Sequence, residues 1–357
     1  MNTIERYASL TDRYLHMAKR NNLSDTTQRN YESVTGLFRD FLQTRSESGF
    51  PVGDENGRVS FDDVQAWIDA MTEAGNKPST VKQRLVTASQ LFSFATKPYI
   101  PADLRYDQSP VSPDFYPKVP AETIPEALTA DEIIGLWEYA KKYKTTDAGF
   151  ARNYAIVALI LCTGLRNKEV LDLTLDSIDL RVGEVWVHNG KGRKDRIVDM
   201  DNGGDGLCAA ALENYLRIGD RPADLPDSAP LFGTTAEHSF GNVQNTEGVE
   251  PWHRGTGAWL SALIERHVFN QVGRHDCRSH DLRHTYARLL LNSTGNLAEL
   301  QSSLGHSDPK ISERYSGRLL AKRRRAENQR ILAARDAAAE ELRRKNEEQN
   351  NVITLFA

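Results

Sequence analysis

The sequence predicts a mainly α-helical protein with a small β-sheet, built as two domains. Three observations carry that prediction. Apolar residues recur at helical spacing along most of the chain. Two short runs, Val185-Trp186-Val187-His188 and Arg196-Ile197-Val198-Asp199, read as strands on either side of a glycine-bearing turn. Between the N-terminal helices and this region stand Pro98, Pro101, Pro110, Pro113, Pro117, Pro120 and Pro125. Proline lacks a backbone donor and stiffens extended chain, so this stretch is expected to link the domains.

The first domain is expected over 1–98 as a bundle of about four helices. Ile4 to Met17 supplies one. Ser24 is the N-cap of a second, which carries Tyr31, Val34, Leu37, Phe38, Phe41 and Leu42. Ser60 caps a third with Val64, Trp67, Ile68 and Met71, and Pro78 opens a fourth with Val81, Leu85, Ala88, Leu91, Phe92 and Phe94. The linker is expected over 99–127 and the second domain over 128–317. There Thr129 caps a helix over 131–143, an apolar helix runs from Tyr154 to Cys162 toward Gly164, and another follows from Asn167 to Leu173. Asn189-Gly190-Lys191-Gly192-Arg193 forms the hairpin loop between the two strands. Most of the rest reads as helix, apart from the polar, glycine-bearing span Gly233 to Glu250, which is expected to be a mobile loop. The segment 318–357 is expected as a C-terminal helix and tail: Arg318 to Lys345 is rich in Ala, Arg and Glu, and an apolar plug, Val352-Ile353-Thr354-Leu355-Phe356, follows it.

With 357 residues, 39% hydrophobic and 26% charged, the composition fits a soluble globular protein with a sizeable core. No apolar run is long enough to span a bilayer, and the N-terminus lacks the apolar core of a signal peptide. No membrane partner and a cytoplasmic location are therefore expected. Cys162, Cys208 and Cys277 are scattered, odd in number and without metal-ligand spacing, which fits a reducing compartment. A net charge of −4 taken globally argues weakly against nucleic acid, but the basic residues are clustered. Lys77, Lys82, Arg84 and Lys97 share a stretch with no acid, and Lys191, Arg193, Lys194 and Arg196 face Asp195 alone. Taken singly, either cluster reads equally well as a solvated helix or turn face.

The residues with chemistry come in a fixed order. Arg166 follows Thr163-Gly164-Leu165 at a helix start. His280 and Arg283, in His280-Asp281-Leu282-Arg283-His284, project from one helical face. His306 sits in a Gly-His turn between helices, and Tyr315 follows nine residues later. Guanidinium groups bind phosphate oxygens bidentately and keep their charge, and two aimed at one phosphate would neutralise the charge that builds in a pentavalent transition state. A histidine titrates near neutrality and suits proton transfer. A phenol can attack phosphorus when a base or nearby cations assist it. A lysine at a hairpin tip can protonate a leaving oxygen. The ordered set therefore suits transesterification at a phosphodiester, although each member has an ordinary reading as an ion pair, a cap or a packing residue. Tyr286 is a rival nucleophile one turn from Arg283, and Lys194 a rival to Lys191. His280 and His284 at i, i+4 also have zinc spacing, but Asp281 stands where the metalloprotease pattern needs Glu, and no third ligand can be placed.

Taken together, these segments resemble the tyrosine recombinase family, also called the phage integrase family. The likeness is weak in the N-terminal helices and strong from about Thr163 to Tyr315. The family's first arginine follows Thr-Gly-Leu, as Arg166 does; its lysine is the first of a Gly-Lys-Gly hairpin, which selects Lys191 over Lys194; its His-x-x-Arg box matches His280 and Arg283; its Gly-His turn matches His306; and its nucleophile nine residues on matches Tyr315, which demotes Tyr286. Glu169, three after Arg166, matches an acidic position that supports the site.

The resemblance implies an N-terminal helical core-binding (SAM-like) domain and a C-terminal catalytic domain. Lys77, Lys82, Arg84, Arg193 and Lys194 are then expected as DNA contacts. It implies site-specific recombination of double-stranded DNA through a 3′-phosphotyrosine on Tyr315, with no ATP, metal or other cofactor, by a homotetramer on two DNA sites, with DNA-bending accessory proteins as further partners. The helices begin almost at Met1, which leaves no room for an arm-binding domain and brings the plan close to Xer- and Cre-like enzymes. The tail from Arg318 to Ala357, with Leu355 and Phe356 as its plug, is expected to dock on a neighbouring protomer. A type IB topoisomerase-like activity and a catalytically silent DNA-binding accessory protein are the alternatives.

Overall fold

The computed structural model describes residues 1–119, 127–142, 147–188, 195–200, 206–219, 221–234, 252–305 and 321–356, with only the backbone at 139–142, 234, 321–326 and 349–356. They fall into two compact units, Met1–Thr123 and Ile124–Ala357.

The first unit holds α1 (Thr3–Arg20), α2 (Asp25–Glu47), α3 (Phe61–Glu73) and α4 (Pro78–Ala95). Each start has a local cause. Ser24 Oγ accepts from the Thr27 amide at 3.3 Å, Ser60 Oγ accepts from the Asp63 amide at 3.2 Å, and Pro78 occupies the first turn of α4. Asn2 caps α1 in a reciprocal box with Glu5. The amphipathic faces meet around Phe38, whose ring lies 4.5 Å from Trp67 and 5.3 Å from Tyr7. Asp63 is buried and holds the chain before α3. Its Oδ2 accepts from the Gly53 amide at 2.9 Å and the Ser60 amide at 2.8 Å.

The proline-rich stretch differs from the linker expected of it. Ile100, Leu104, Tyr106 and Val111 are buried in the core of the first unit. The Tyr106 hydroxyl accepts from the Val59 amide at 2.9 Å, and the Tyr106 amide donates to Ala95 O at 3.1 Å. The prolines set the bends, but the apolar residues between them bury against the helices, so this unit extends well past the expected end at 98.

The second unit is built on α6 (Ala148–Thr163), which is apolar on every side and buried throughout from Tyr154 to Thr163. Around it stand α5 (Ala130–Lys142), α7 (Asn167–Asp172), α8 (Leu207–Ile218), α9 (Gly257–Val272), α10 (Ser279–Thr294) and α11 (Leu297–Leu304). The sheet is antiparallel, in the order β1 (Ile178–Asp179), β2 (Glu184–Val187), β3 (Arg196–Asp199), with Val187 opposite Arg196. β1 is too short to leave a periodic signal in the sequence. The start of the span expected as a mobile loop, Gly233–Thr234, is β4 and pairs with β5 (His253–Arg254); residues 235–251 lie outside the described ones. Cys162, Cys208 and Cys277 are buried thiols. Among the described residues, no helix is long and apolar enough to cross a membrane.

The C-terminal helix, α12 (Ala321–Phe356), is longer than the expected span and runs through the plug. Its described body packs on α5, α8 and α10 of its own unit. Ile331, Ala338, Ala339 and Leu342 are buried there, and Asn346 accepts from Arg217 at 2.9 Å. The small Ala338 and Ala339 let the helix lie close, so this stretch of the tail expected to dock on a neighbouring protomer packs within its own unit. The side chains of Leu355 and Phe356 lie outside the described residues.

α9 carries a buried histidine. The His267 ring lies 5.4 Å from that of Phe150, its Nε2 has no hydrogen-bond partner among the described residues, and burial pushes its pKa down to about 4. The unfolded chain takes this proton near pH 6.5 and the folded chain only near 4, so stability is expected to fall as pH drops through that window, by about 3 kcal/mol in all. Urea unfolding of wild type and His267→Phe between pH 7.5 and 4 checks this. The stability difference between the two proteins should change with pH in that window, and a constant difference would refute the assignment.

Candidate active site

α6 ends at Gly164, whose φ of +65° is left-handed. A Cβ there would sit 2.3 Å from the Tyr286 ring and 2.9 Å from Leu304, so both the turn and the close approach require glycine. The reversal buries Leu165 completely and brings Arg166 to the N-cap of α7, its side chain 21% exposed.

Glu169, at the third position of α7, collects the arginines. Its Oε2 accepts from the Arg166 backbone amide at 2.8 Å, and its Oε1 accepts from Arg166 Nη1 at 2.7 Å. Arg196 grips both oxygens in a fork, Nη1 to Oε1 and Nη2 to Oε2, each at 2.9 Å. Arg283 Nη1 lies 3.9 Å from Oε2. Burial alone would raise the Glu169 carboxyl, but the Arg196 fork, the Arg166 amide and the two guanidinium charges outweigh it and bring the pKa down to about 2.

The same arginines also hold the end of α11. Arg196 Nε donates to Ser303 O at 3.2 Å, Arg283 Nη2 to Leu304 O at 2.7 Å, and Arg166 Nη2 to Gly305 O at 3.2 Å. These are successive carbonyls at a helix C-terminus, where intrahelical partners run out and the dipole favours cations. Arg283 is buried, and its other nitrogen donates to Gly164 O, so one side chain joins the end of α6 to the end of α11.

His280 lies one turn before Arg283 on α10, at the surface of this cluster. Partial desolvation, then the positive charges of Arg283 and Arg166, lower its pKa, with Asp281 opposing them. That shift favours the neutral imidazole, the form able to accept a proton.

The structure thus brings together Arg166, Glu169, His280 and Arg283. Lys191, Arg193, Lys194, His306 and Tyr315 lie outside the described residues. Their neighbours are described: His188 and Asp195 flank the hairpin with Nδ1 and Oδ2 at 3.6 Å, and Gly305 precedes His306. Lys77 and Lys82 are exposed and Arg84 half-buried on or beside α4, which has no acidic residue. The rival Tyr286 is 9% exposed, packs with Leu291 and Leu304, and has its pKa raised, first by burial. That makes it a packing residue and a poor nucleophile. The His280 and His284 rings lie 5.9 Å apart, and no group of three or more His, Cys, Asp or Glu among the described residues is placed to hold a metal.

Sequence reasoning missed Arg196, taking it only as part of a basic cluster and a strand start. The signal was its phase: two residues before the buried Val198, it shares the inward face of β3. An inward arginine needs a buried acid, and Glu169 is that acid.

Substituting Gly164→Ala is expected to destabilise the second unit by at least about 2 kcal/mol, since it adds a strained φ to a steric clash. Denaturant unfolding would measure the loss, and a stability within 0.5 kcal/mol of wild type, roughly the range of neutral surface changes, would contradict it.

A family model described as the phage integrase family matches residues 126–319. A tyrosine recombinase XerC of Oceanobacillus iheyensis is 28% identical over 317 residues, 88% of this chain and 92% of that protein. A tyrosine recombinase XerD of Bifidobacterium longum is 26% identical over 320 residues, 87% and 92% of the two chains. Among solved structures, XerH site-specific recombinase bound to difH substrate superposes with a TM-score of 0.62 at 21% identity, covering 87% of this chain and 82% of that one. A lambda integrase fragment, in a dimer bound to a COC′ core site, gives 0.56 at 15% identity, covering 86% and 94%. At these identities the structural likeness speaks for the fold.

Proposed function

Because the chain belongs to the phage integrase family, we propose that it is a tyrosine site-specific recombinase that cuts and rejoins double-stranded DNA through a 3′-phosphotyrosine, without ATP or metal. The observation that carries this reading is the cluster in which Arg166 and Arg283 are fixed by Glu169 and by the carbonyls of Leu304 and Gly305, with His280 beside them on the same helix as Arg283.

In the proposed reaction the Tyr315 hydroxyl attacks the scissile phosphorus and passes its proton to His280. The bond from phosphorus to the 5′-oxygen breaks, and Lys191 gives that oxygen a proton. Arg166, Arg283 and His306 hold the non-bridging oxygens as their charge grows. Attack by a 5′-hydroxyl of a partner strand reverses the step, so the bond energy is kept and no nucleotide is consumed. Lys77, Lys82 and Arg84 in the first unit, and Arg193 and Lys194 beside Lys191, supply backbone phosphate contacts, which position the duplex without reading its sequence. Four protomers on two sites complete the reading, with DNA-bending proteins as accessory partners.

A duplex carrying the native site, nicked so that the covalent intermediate is trapped, tests the core of it. In EDTA the wild type is expected to form a protein–DNA adduct that survives denaturing electrophoresis, and Tyr315→Phe none. An adduct that persists in the variant would move the nucleophile, and one that needs added metal would end the metal-free mechanism.

The cleavage rate should also carry an acid limb from His280. Its pKa lies below 6.5, so the base form is present at neutral pH and is lost only as pH falls below that value. Single-turnover rates between pH 5 and 8 read the limb directly; a midpoint above pH 6.5 would argue for another base.

A further inference from the structure

We infer that Arg196 is a positioning residue for strand cleavage: by occupying both oxygens of Glu169 and the Ser303 carbonyl, it leaves the charge of Arg166 and Arg283 available to the phosphate and holds the turn that leads to His306. The inference rests on the function proposed above and deepens it.

Charge gives the first argument. Without Arg196, the carboxylate would be gripped chiefly by Arg166, whose Nη1 lies 2.7 Å from it. At that distance in a partly buried site, Glu169 would cancel most of what Arg166 offers a ligand. Arg196 adds one positive charge against the carboxylate, which it grips through both oxygens at 2.9 Å from a side chain only 13% exposed. A phosphodiester carries −1 and its phosphorane about −2, so the positive charge that Arg196 adds favours the transition state over the ground state, which is the condition for catalysis. Glu169 then orders Arg166 without silencing it.

Connectivity gives the second. Arg196 opens β3, the strand that returns from the hairpin, and pairs with Val187 across it. Its Nε reaches Ser303, 107 residues away, and its guanidinium packs 3.3 Å from where a Cβ on Gly305 would stand. One side chain therefore ties together the base of the hairpin that carries Lys191, the α7 start that carries Arg166, and the last turn before His306. A lysine cannot do this. It is a single point charge on a flexible stem and lacks the planar fork that reaches a carboxylate and a carbonyl together.

The test uses the full chain, its nicked site, and the variants Arg196→Lys, Arg196→Met and Glu169→Gln/Arg196→Met. Site binding by gel shift, thermal melting and the single-turnover rate of adduct formation are measured for each. Both single variants are expected to bind DNA within about threefold of wild type, while Arg196→Met loses about 100-fold in cleavage rate, the size of effect seen when one transition-state donor is removed. Arg196→Lys should recover only part of that loss. The double variant is the decisive one. Removing the carboxylate that Arg196 restrains should return at least a tenfold gain over Arg196→Met, which a merely structural role would not produce. A wild-type rate in Arg196→Met would overturn the inference, as would a loss that tracks melting temperature and is not relieved by Glu169→Gln. No adduct from the wild-type protein would overturn the proposed function and this inference with it.

Discussion

The catalytic unit hangs on one buried carboxylate. Glu169 carries a single negative charge, yet Arg166, Arg196 and Arg283 all converge on it. A lone ion pair at this depth would barely offset the cost of leaving water. What tips the balance is that the same guanidiniums also satisfy the carbonyls of Ser303, Leu304 and Gly305, which α11 leaves without intrahelical partners. The carboxylate and the helix terminus together give the three guanidiniums acceptors in fixed places. Each guanidinium is thereby held in a single orientation before any ligand arrives, which is the preorganisation an anionic transition state needs.

That cluster needs a rigid frame, and α6 supplies it. A helix apolar on all sides fixes its own position by burial rather than by one preferred face, and it delivers Gly164 to a defined point. There the missing Cβ lets Tyr286 and Leu304 close in, and the freed Gly164 carbonyl takes a nitrogen of Arg283. Tyr286 thus serves the site as a wall. Its hydroxyl, near the arginines in sequence, is withdrawn from solvent chemistry by the packing that makes the turn possible. α12 closes the unit from another side, its alanines seated on α5 and α8.

The first unit solves a simpler problem. Its helices are long, capped and amphipathic, and they surround the aromatic cluster at Phe38. The chain then folds back over them, with the Tyr106 hydroxyl accepting from the Val59 amide and its ring buried. The acid-free surface of α4, with Lys82 exposed and Arg84 half-buried, is left facing outward.

Local features were legible in the chain alone: the helices, because caps and 3.6-residue periodicity act within a few residues, and the order Arg166, Glu169, His280, Arg283, because adjacent motifs carry them. It also placed His280 and Arg283 on one helical face, since spacing alone does that. Tertiary structure decided what depends on distant partners. Arg196 became part of the site only because Glu169 stands 27 residues and Ser303 107 residues away in the chain. The prolines between 98 and 117 signalled a break in helix, while the apolar residues among them settled that the segment belongs to the first core. Tyr286 and Tyr315 were two candidate phenols; the spacing from the Gly-His turn set Tyr286 second, and its burial among Leu291 and Leu304 supplies the physical reason. A side chain's partners across the fold have no period to betray them, so charge at a buried position becomes legible only when the opposing charge is in view.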